Sequence, residues 1–209
     1  MDELSAIDDV DALIVIAQGC FHQKDFTGGL KAFKMLCRLR PGNAHFADRY
    51  AHCYSALNRW SQAREAWAQA IENHGKSVGR VNQLARCFIE LQDYAAARTL
   101  LAFSREQVDV NANFFVFATI ASLGAGDLSQ ALDSAQNVER LAVEEKVPAV
   151  NYLGGLLDRL GRHGHAENVL RLLDLLLPSL VNRTRLLRTG IGIPASSGGG
   201  KPRRAMRVK

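Results

Sequence analysis

Histidine can bind metal ions and act as an acid–base catalyst, but the spacing of the histidines in this sequence supports neither role. His45 and His52 lie seven residues apart, about two turns on a helix, which is too far to share one metal ion. His163 and His165 flank Gly164 in a short polar stretch and are predicted to lie in a surface turn. We therefore expect no metal site and no cofactor.

The spacing of the cysteines and glycines likewise supports neither a metal site nor a phosphate-binding loop. The four cysteines have no CxxC spacing and are not grouped with histidines as zinc ligands are. In a reducing cytosol they are predicted to be small apolar core residues: Cys20, Cys37, Cys53 and Cys87. The glycines at 198–200 are followed by no predicted helix, so they are not a phosphate-binding loop. With no Ser, His and Asp in a suitable context either, the sequence predicts a protein that is not an enzyme.

The elements that would position functional side chains are indicated by an internal repeat with a period of about 34 residues. In each unit a large residue is followed three positions later by a small one, and the last pair comes one position late. The pairs are Phe26 with Gly29, Trp60 with Ala63, Tyr94 with Ala97, Leu128 with Ala131 and His163 with Ala166. Further apolar residues at spacings of three, four and seven predict one apolar stripe on each of two helices per unit. Such hairpins bury their stripes only by stacking on one another.

Polar residues mark the boundaries of these helices. Asp25, Asp93 and Asp127 are placed to cap the second helix of their units, because their carboxylates can accept the first free N–H groups. Pro41 and Pro178 are predicted to follow second helices as stops. The insertion at 139–148, ERLAVEEKVP, is predicted to lengthen the second helix or the loop of the fourth unit.

With these features the chain resembles tetratricopeptide repeats over residues of about 10–178. The stretch FHQKDFTGGLKAFKMLCRLRP matches the second half of that motif closely, and the match weakens in the fourth unit. The resemblance implies an all-α solenoid of about five helix-turn-helix repeats. Its predicted parts are an acidic extension at 1–9, units near 10–43, 44–77, 78–111, 112–146 and 147–178, a capping helix at 179–189, and a disordered basic tail at 190–209.

The resemblance also implies a binding surface, because the first helices of such hairpins line a concave groove that holds a protein or peptide partner. The predicted partner-binding residues are Gln18, Phe21, His22, Arg49, His52, Asn82, Arg86, Ile89, Phe117, Ile120, Asn151 and Tyr152. Two alternatives stay open. The apolar residues of the fourth unit, such as Phe117 and Ile120, would equally suit core packing, and the polar residues would equally suit a solvated face.

Two subfamilies can be compared with these positions. Repeats that grip an acidic chaperone C-terminus share a Lys/Asn/Asn/Lys/Arg clamp, whose places here are taken by Ile14, Gln18, Arg49, Gly79 and Gln83, so the clamp is missing. Residues of about 12–72 are more similar to class II chaperones of bacterial type III secretion, which hold hydrophobic segments of translocator proteins. Those chaperones have three repeats and a longer N-terminal helical segment, whereas this chain has five predicted repeats and about nine residues before them.

Charge divides the chain into two parts. No acid follows residue 174, and the stretch 175–209 carries a charge of +8 against −3 for the remainder. The basic tail would suit nucleic acid, an anionic membrane, an acidic partner or simple solvation, and it lacks aromatic residues for base stacking. The acidic N-terminus does not resemble a secretory signal, and no apolar run is long enough for a membrane span, so a cytoplasmic protein is expected. The leading hypothesis is a chaperone or assembly factor of a secretion system. The alternatives are a general scaffold subunit and a nucleic-acid-associated regulator.

Overall fold

The computed structural model describes the backbone of residues 9–180 and side chains as far as Leu176. This part of the chain forms five helical hairpins, which confirms the predicted all-α tetratricopeptide-type solenoid. The pairs are α1 (Val10–His22) with α2 (Phe26–Leu39), α3 (Ala44–Ala56) with α4 (Trp60–His74), α5 (Val78–Glu90) with α6 (Tyr94–Ser104), α7 (Ala112–Gly124) with α8 (Leu128–Glu139), and α9 (Val143–Leu160) with α10 (Ala166–Leu180). Of the predicted acidic extension at 1–9 only Asp9 is described, as the cap of α1. Of the predicted capping helix at 179–189 only residues 179 and 180 are described, as the end of α10, and the basic tail at 190–209 lies outside the described residues.

Helix starts follow the repeat. The first helices of four hairpins begin after residues that are spaced by the repeat period and whose side chains accept N–H bonds from the first turn: Asp9, Asn43, Ser77 and Asn111. The three predicted caps of second helices are confirmed. Asp25 accepts from the Gly28 N–H at 2.9 Å, Asp93 from Ala96 at 3.1 Å and Asp127 from Gln130 at 3.0 Å. These bonds satisfy donors that the helix itself leaves unpaired.

The turns inside the hairpins also repeat. Each of the first four contains one residue in the left-handed region, with φ of 59° at Lys24, 55° at Asn58, 61° at Gln92 and 82° at Gly126. The N–H three residues after the last residue of each of these first helices then bonds back across the turn, as from Asp25 to the Cys20 carbonyl at 2.8 Å. Because this motif satisfies the last carbonyls of the helix, it fixes the angle at which the second helix returns.

The predicted place of the 139–148 insertion is wrong. Helix α8 ends at Glu139, and the inserted residues instead supply the first turns of α9, which has 18 residues. Glu145 stands one repeat period after Asn111 but is a poor N-cap, so nothing starts the helix at the repeat position. The helix begins at Val143, where Glu144 and Glu145 favour its positive end, and the fourth and fifth hairpins therefore meet between 139 and 143. The prediction that Pro178 follows the last helix is also wrong, since α10 continues to Leu180.

The stacking of hairpins changes at the fifth one. At the first three junctions, the first helix of a hairpin packs against the second helix of the preceding hairpin: α3 on α2, α5 on α4 and α7 on α6. At the fourth junction α9 packs mainly on α7, and α10 takes the place on α8. The apolar core consequently becomes largest between α5 and α10. None of the helices between residues 9 and 180 has both the length and the hydropathy of a membrane span.

Candidate functional site

The first helices α1, α3 and α5 form one side of the stack, which we call the inner face. Gln18, His52 and Arg86 occupy the same position in three successive repeats and so follow one another along this face. Gln18 is exposed, whereas His52 and Arg86 are partly buried. The repeat thus places a row of hydrogen-bonding side chains across three successive hairpins.

A cavity of about 450 Å³ opens on the inner face at the first two hairpins. It brings together four of the predicted binding residues with four others: Gln18, Phe21, His22 and Arg49 with Lys24, Phe26, Phe33 and His45. The ring of Phe21 stands edge-on to Phe26, with centroids 5.7 Å apart. The Arg49 guanidinium lies 4.2 Å from the centroid of the Phe21 ring, a cation–π contact that holds the charge at the rim of an aromatic floor.

The centre of the inner face carries unpaired polar atoms. His52 lies 5.2 Å from Phe21 between ring centroids, and the Arg86 guanidinium lies 5.2 Å from the centroid of Trp60. Nδ1 of His52 and Nε of Arg86 are buried and have no hydrogen-bond partner in the described part of the chain. Burial, followed by the nearby charges of Arg49 and Arg86, lowers the pKa of His52, so the imidazole is neutral at pH 7.

Asn82 and Ile89 lie on the same helix as Arg86 but are built into the structure. Asn82 is 5% exposed, and its Nδ2 donates to Oδ1 of Asn111, the cap of α7, at 3.0 Å. Ile89 belongs to the apolar core. Neither side chain is accessible to a partner in this conformation, and replacing Asn82 would disturb the junction between the third and fourth hairpins.

The fourth hairpin is closed by α9. Phe117 and Ile120 are 4% and 1% exposed, and Phe117 contacts the Tyr152 ring edge-on with centroids 5.8 Å apart. Of the two readings that the sequence left open for these apolar residues, their placement is that of core residues. Tyr152 is half-buried at the edge of this contact, and Asn151 is exposed on the same helix.

Helix α9 also reaches the third hairpin and ends the inner face there. Arg159 pairs with Glu90 of α5 at 3.0 Å, and Nδ1 of His163 lies 3.1 Å from Nε2 of Gln92. The open part of the inner face therefore runs over three hairpins and meets a wall made by α9. Sequence reasoning missed Trp60, Glu90 and Arg159; Trp60 was assigned to the apolar stripe although one face of its ring carries Arg86.

The cysteines offer little chemistry on this face. Cys53 and Cys87 are buried, Cys20 and Cys37 are partly buried, and all four are free thiols. Burial raises the pKa of Cys37, Cys53 and Cys87 to about 11, so these sulfurs stay protonated and weakly nucleophilic at pH 7. Between residues 9 and 176 no three His, Cys, Asp or Glu side chains are grouped as metal ligands.

Known proteins share this architecture. The profile of the tetratricopeptide repeat family matches residues 49–77. The fold is similar to that of MamA from Desulfovibrio magneticus RS-1, at 16% identity and a TM-score of 0.61, over 83% of this chain and 98% of that one. YrrB, described as a TPR protein with an unusual peptide-binding site, gives 16% and 0.59 over 86% and 91%. PilF of Pseudomonas aeruginosa gives 16% and 0.56 over 87% and 81%. The chain therefore contains a tetratricopeptide repeat within a tetratricopeptide-repeat solenoid.

Proposed function

We propose that the protein binds a peptide segment of a partner protein on the inner face of its first three hairpins. Tetratricopeptide-repeat proteins are generally interaction scaffolds and not enzymes, and YrrB is described as having a peptide-binding site. The observation that carries the proposal is the combination of an aromatic cavity with buried polar atoms that lack partners, on the part of the inner face that α9 leaves open.

Folded proteins usually avoid burying polar groups that have no hydrogen-bond partner. A buried donor or acceptor without a partner costs about 1–3 kcal/mol, so most such groups are paired within the chain. Here His52 Nδ1 and Arg86 Nε both remain unpaired, although the two residues are only partly buried. A peptide supplies carbonyls, amides and side chains that can pair with them, while Phe21 and Phe26 offer apolar area for one hydrophobic anchor.

The proposal is tested by selecting binders from a display library of random 12-residue peptides and cross-linking them to the full chain. A photo-reactive benzoylphenylalanine placed at Gln18 or His22 should capture a selected peptide, since both residues line the cavity. The same group at Phe103, which is strongly exposed on the second helix α6, is the control and should capture little. Failure to select any binder, or equal cross-linking at position 103, would contradict binding on the inner face.

A narrower second candidate is a chaperone or assembly factor of a bacterial secretion system. What supports it is that the aromatic cavity is built from residues 18–49. These residues lie within the stretch of 12–72 from which the sequence analysis drew the hypothesis of a class II secretion chaperone. Co-purification from the native host followed by mass spectrometry tests this candidate. If no partner is a secreted protein or a secretion component, the remaining hypothesis is a scaffold subunit of another complex.

The third hypothesis, a nucleic-acid-associated regulator, depends on the basic tail at 190–209, outside the described residues. Removing residues 190–209 and measuring RNA and DNA retention at low salt tests it. Unchanged retention would mean that the tail is not a nucleic-acid arm.

A further inference from the structure

Two arginines and a histidine come together at the centre of the inner face. Arg49 precedes His52 by about one helical turn on α3, and Arg86 occupies on α5 the repeat position of His52. Each guanidinium is held against an aromatic ring, Arg49 at 4.2 Å from the Phe21 centroid and Arg86 at 5.2 Å from the Trp60 centroid. The two positive charges are therefore held by aromatic rings, and both act on the imidazole.

Within residues 9–176, neither arginine of this group has an ion-pair partner. Two acids on the same helices are already engaged, since Asp48 pairs with Arg80 at 2.7 Å and Glu90 with Arg159 at 3.0 Å.

Two of these three residues carry side-chain nitrogens without a hydrogen-bond partner among the described residues. Nε of Arg86 and Nδ1 of His52 are both buried without hydrogen-bond partners. The charges of Arg49 and Arg86 both act on His52, because after burial they are the causes that lower the pKa of its imidazole. A positive potential with unpaired nitrogens is the electrostatic complement of an anion.

We propose that Arg49, His52 and Arg86 form a subsite that binds the side-chain carboxylate of an Asp or Glu within an extended peptide on the inner face. This inference rests on the proposed peptide-binding function. A carboxylate matches the planar donor geometry of a guanidinium and can accept from two groups at once. An internal acidic residue fits better than a chain end, because the aromatic cavity adjoins the subsite through Phe21 and can hold further residues of the same peptide.

The test uses peptides selected against the full chain from a library in which each random segment is fused at both ends and so has no free carboxyl terminus. Selected peptides are synthesised with acetyl and amide ends, labelled with fluorescein and measured by fluorescence anisotropy at 0.15 M NaCl. We expect the tightest binders to contain an Asp or Glu whose change to Asn or Gln weakens binding about tenfold to hundredfold. Arg49→Gln and Arg86→Gln should each weaken the acidic peptide by a similar factor.

Two comparisons make the assignment specific. Arg86→Gln should cause little further loss for the peptide that already lacks its acid, which shows that the two groups act on each other. Arg171→Gln, which removes the same charge from an exposed side chain on α10, should leave affinity unchanged. The change in the peptide does not alter the fold of the protein, so the inference stays testable even if an arginine variant folds poorly.

The outcomes separate this inference from the proposed function. Peptides that cross-link to the inner face but tolerate loss of every acid would overturn the carboxylate subsite and leave peptide binding intact. If no peptide is selected at all, both the subsite and the peptide-binding function are wrong.

Discussion

Arg80→Ala tests whether one side chain joins the second and third hairpins. Nε and one terminal nitrogen of Arg80 donate to the two oxygens of Asp48 on α3, at 2.7 and 3.1 Å. The other terminal nitrogen donates to the carbonyls of His74 and Gly75 at the end of α4, at 3.1 and 2.9 Å. Arg80 therefore pairs with one helix and satisfies the last carbonyls of another, where a positive charge is favoured.

The expected loss of unfolding free energy depends on how exposed Arg80 and Asp48 are. The Arg80 side chain is only 11% exposed and that of Asp48 is 35% exposed. Removing one partner of a fully buried pair costs about 3–5 kcal/mol, whereas an exposed pair contributes about 0.2–1 kcal/mol. Because water can reach Asp48 but scarcely reaches Arg80, we expect Arg80→Ala to lower the free energy of unfolding by about 2–3 kcal/mol. Asp48→Ala should cost about 1–2 kcal/mol, since Arg80 keeps its bonds to α4.

Urea denaturation followed by circular dichroism measures both variants and the double variant. A coupling of about 1 kcal/mol between the two positions is expected, and thermal melting should shift downward by about 4–10 °C for Arg80→Ala. Arg98→Ala is the matched control. Arg98 makes one contact of 3.1 Å to Asp127 and is 39% exposed, so its loss should cost less than about 1 kcal/mol. If Arg80→Ala lowers the free energy of unfolding no more than Arg98→Ala, or if Asp48→Ala lowers it more than Arg80→Ala, then Arg80 does not join the two hairpins as described.

Two other substitutions probe packing and protonation. Gly124→Ala should destabilise by about 1–3 kcal/mol despite its better helix propensity, because a Cβ there would clash with the ring of Tyr94. A Cβ at Gly155 would meet nothing within 4 Å, so Gly155→Ala should be neutral or stabilising. Thermal melts of the two variants decide this, and shifts of the same sign and size would contradict it. His52 has a pKa lowered from 6.5 by burial and by two arginines, so the unfolded chain binds the proton more readily and stability falls as the pH drops below about 6.5. The stability of the native protein relative to His52→Gln should therefore be lower at pH 5.0 than at pH 7.5 in urea titrations, and a constant difference would show that His52 titrates normally.

The hairpins and many of their ends were predictable because they depend on local chemistry that recurs once in every repeat. Asp25, Asp93 and Asp127 cap second helices as expected, since a carboxylate before an apolar stripe has few better partners than the free N–H groups beside it. The displaced α9 was not predictable from its own residues. An apolar stripe does not specify which neighbouring helix it will contact, and the structure places α9 mainly on α7.

Helix α7 contained a signal that was open to two interpretations. Its residues are apolar on nearly every side, which is typical of a helix covered on all sides and not of one facing a groove. The polar positions were harder to separate, because Asn82 and Arg86 share a helix face and differ only in what lies opposite them. Asn82 meets Asn111 from the next hairpin, a contact between residues 29 positions apart that no periodicity reveals.

The cover that α9 makes over the fourth hairpin limits what the inner face can hold. Adjacent packed helices are separated by about 10 Å, so three first helices offer a surface about 20–30 Å long. An extended peptide advances about 3.3 Å per residue, and the open face therefore matches about six to nine residues. Within that length an apolar anchor at the Phe21–Phe26 cavity and an acid at Arg49, His52 and Arg86 would be only a few residues apart, because Phe21 contacts both Arg49 and His52. A short segment with a hydrophobic residue near an acidic one is thus the simplest sequence that would use the aromatic floor and the unpaired charges together.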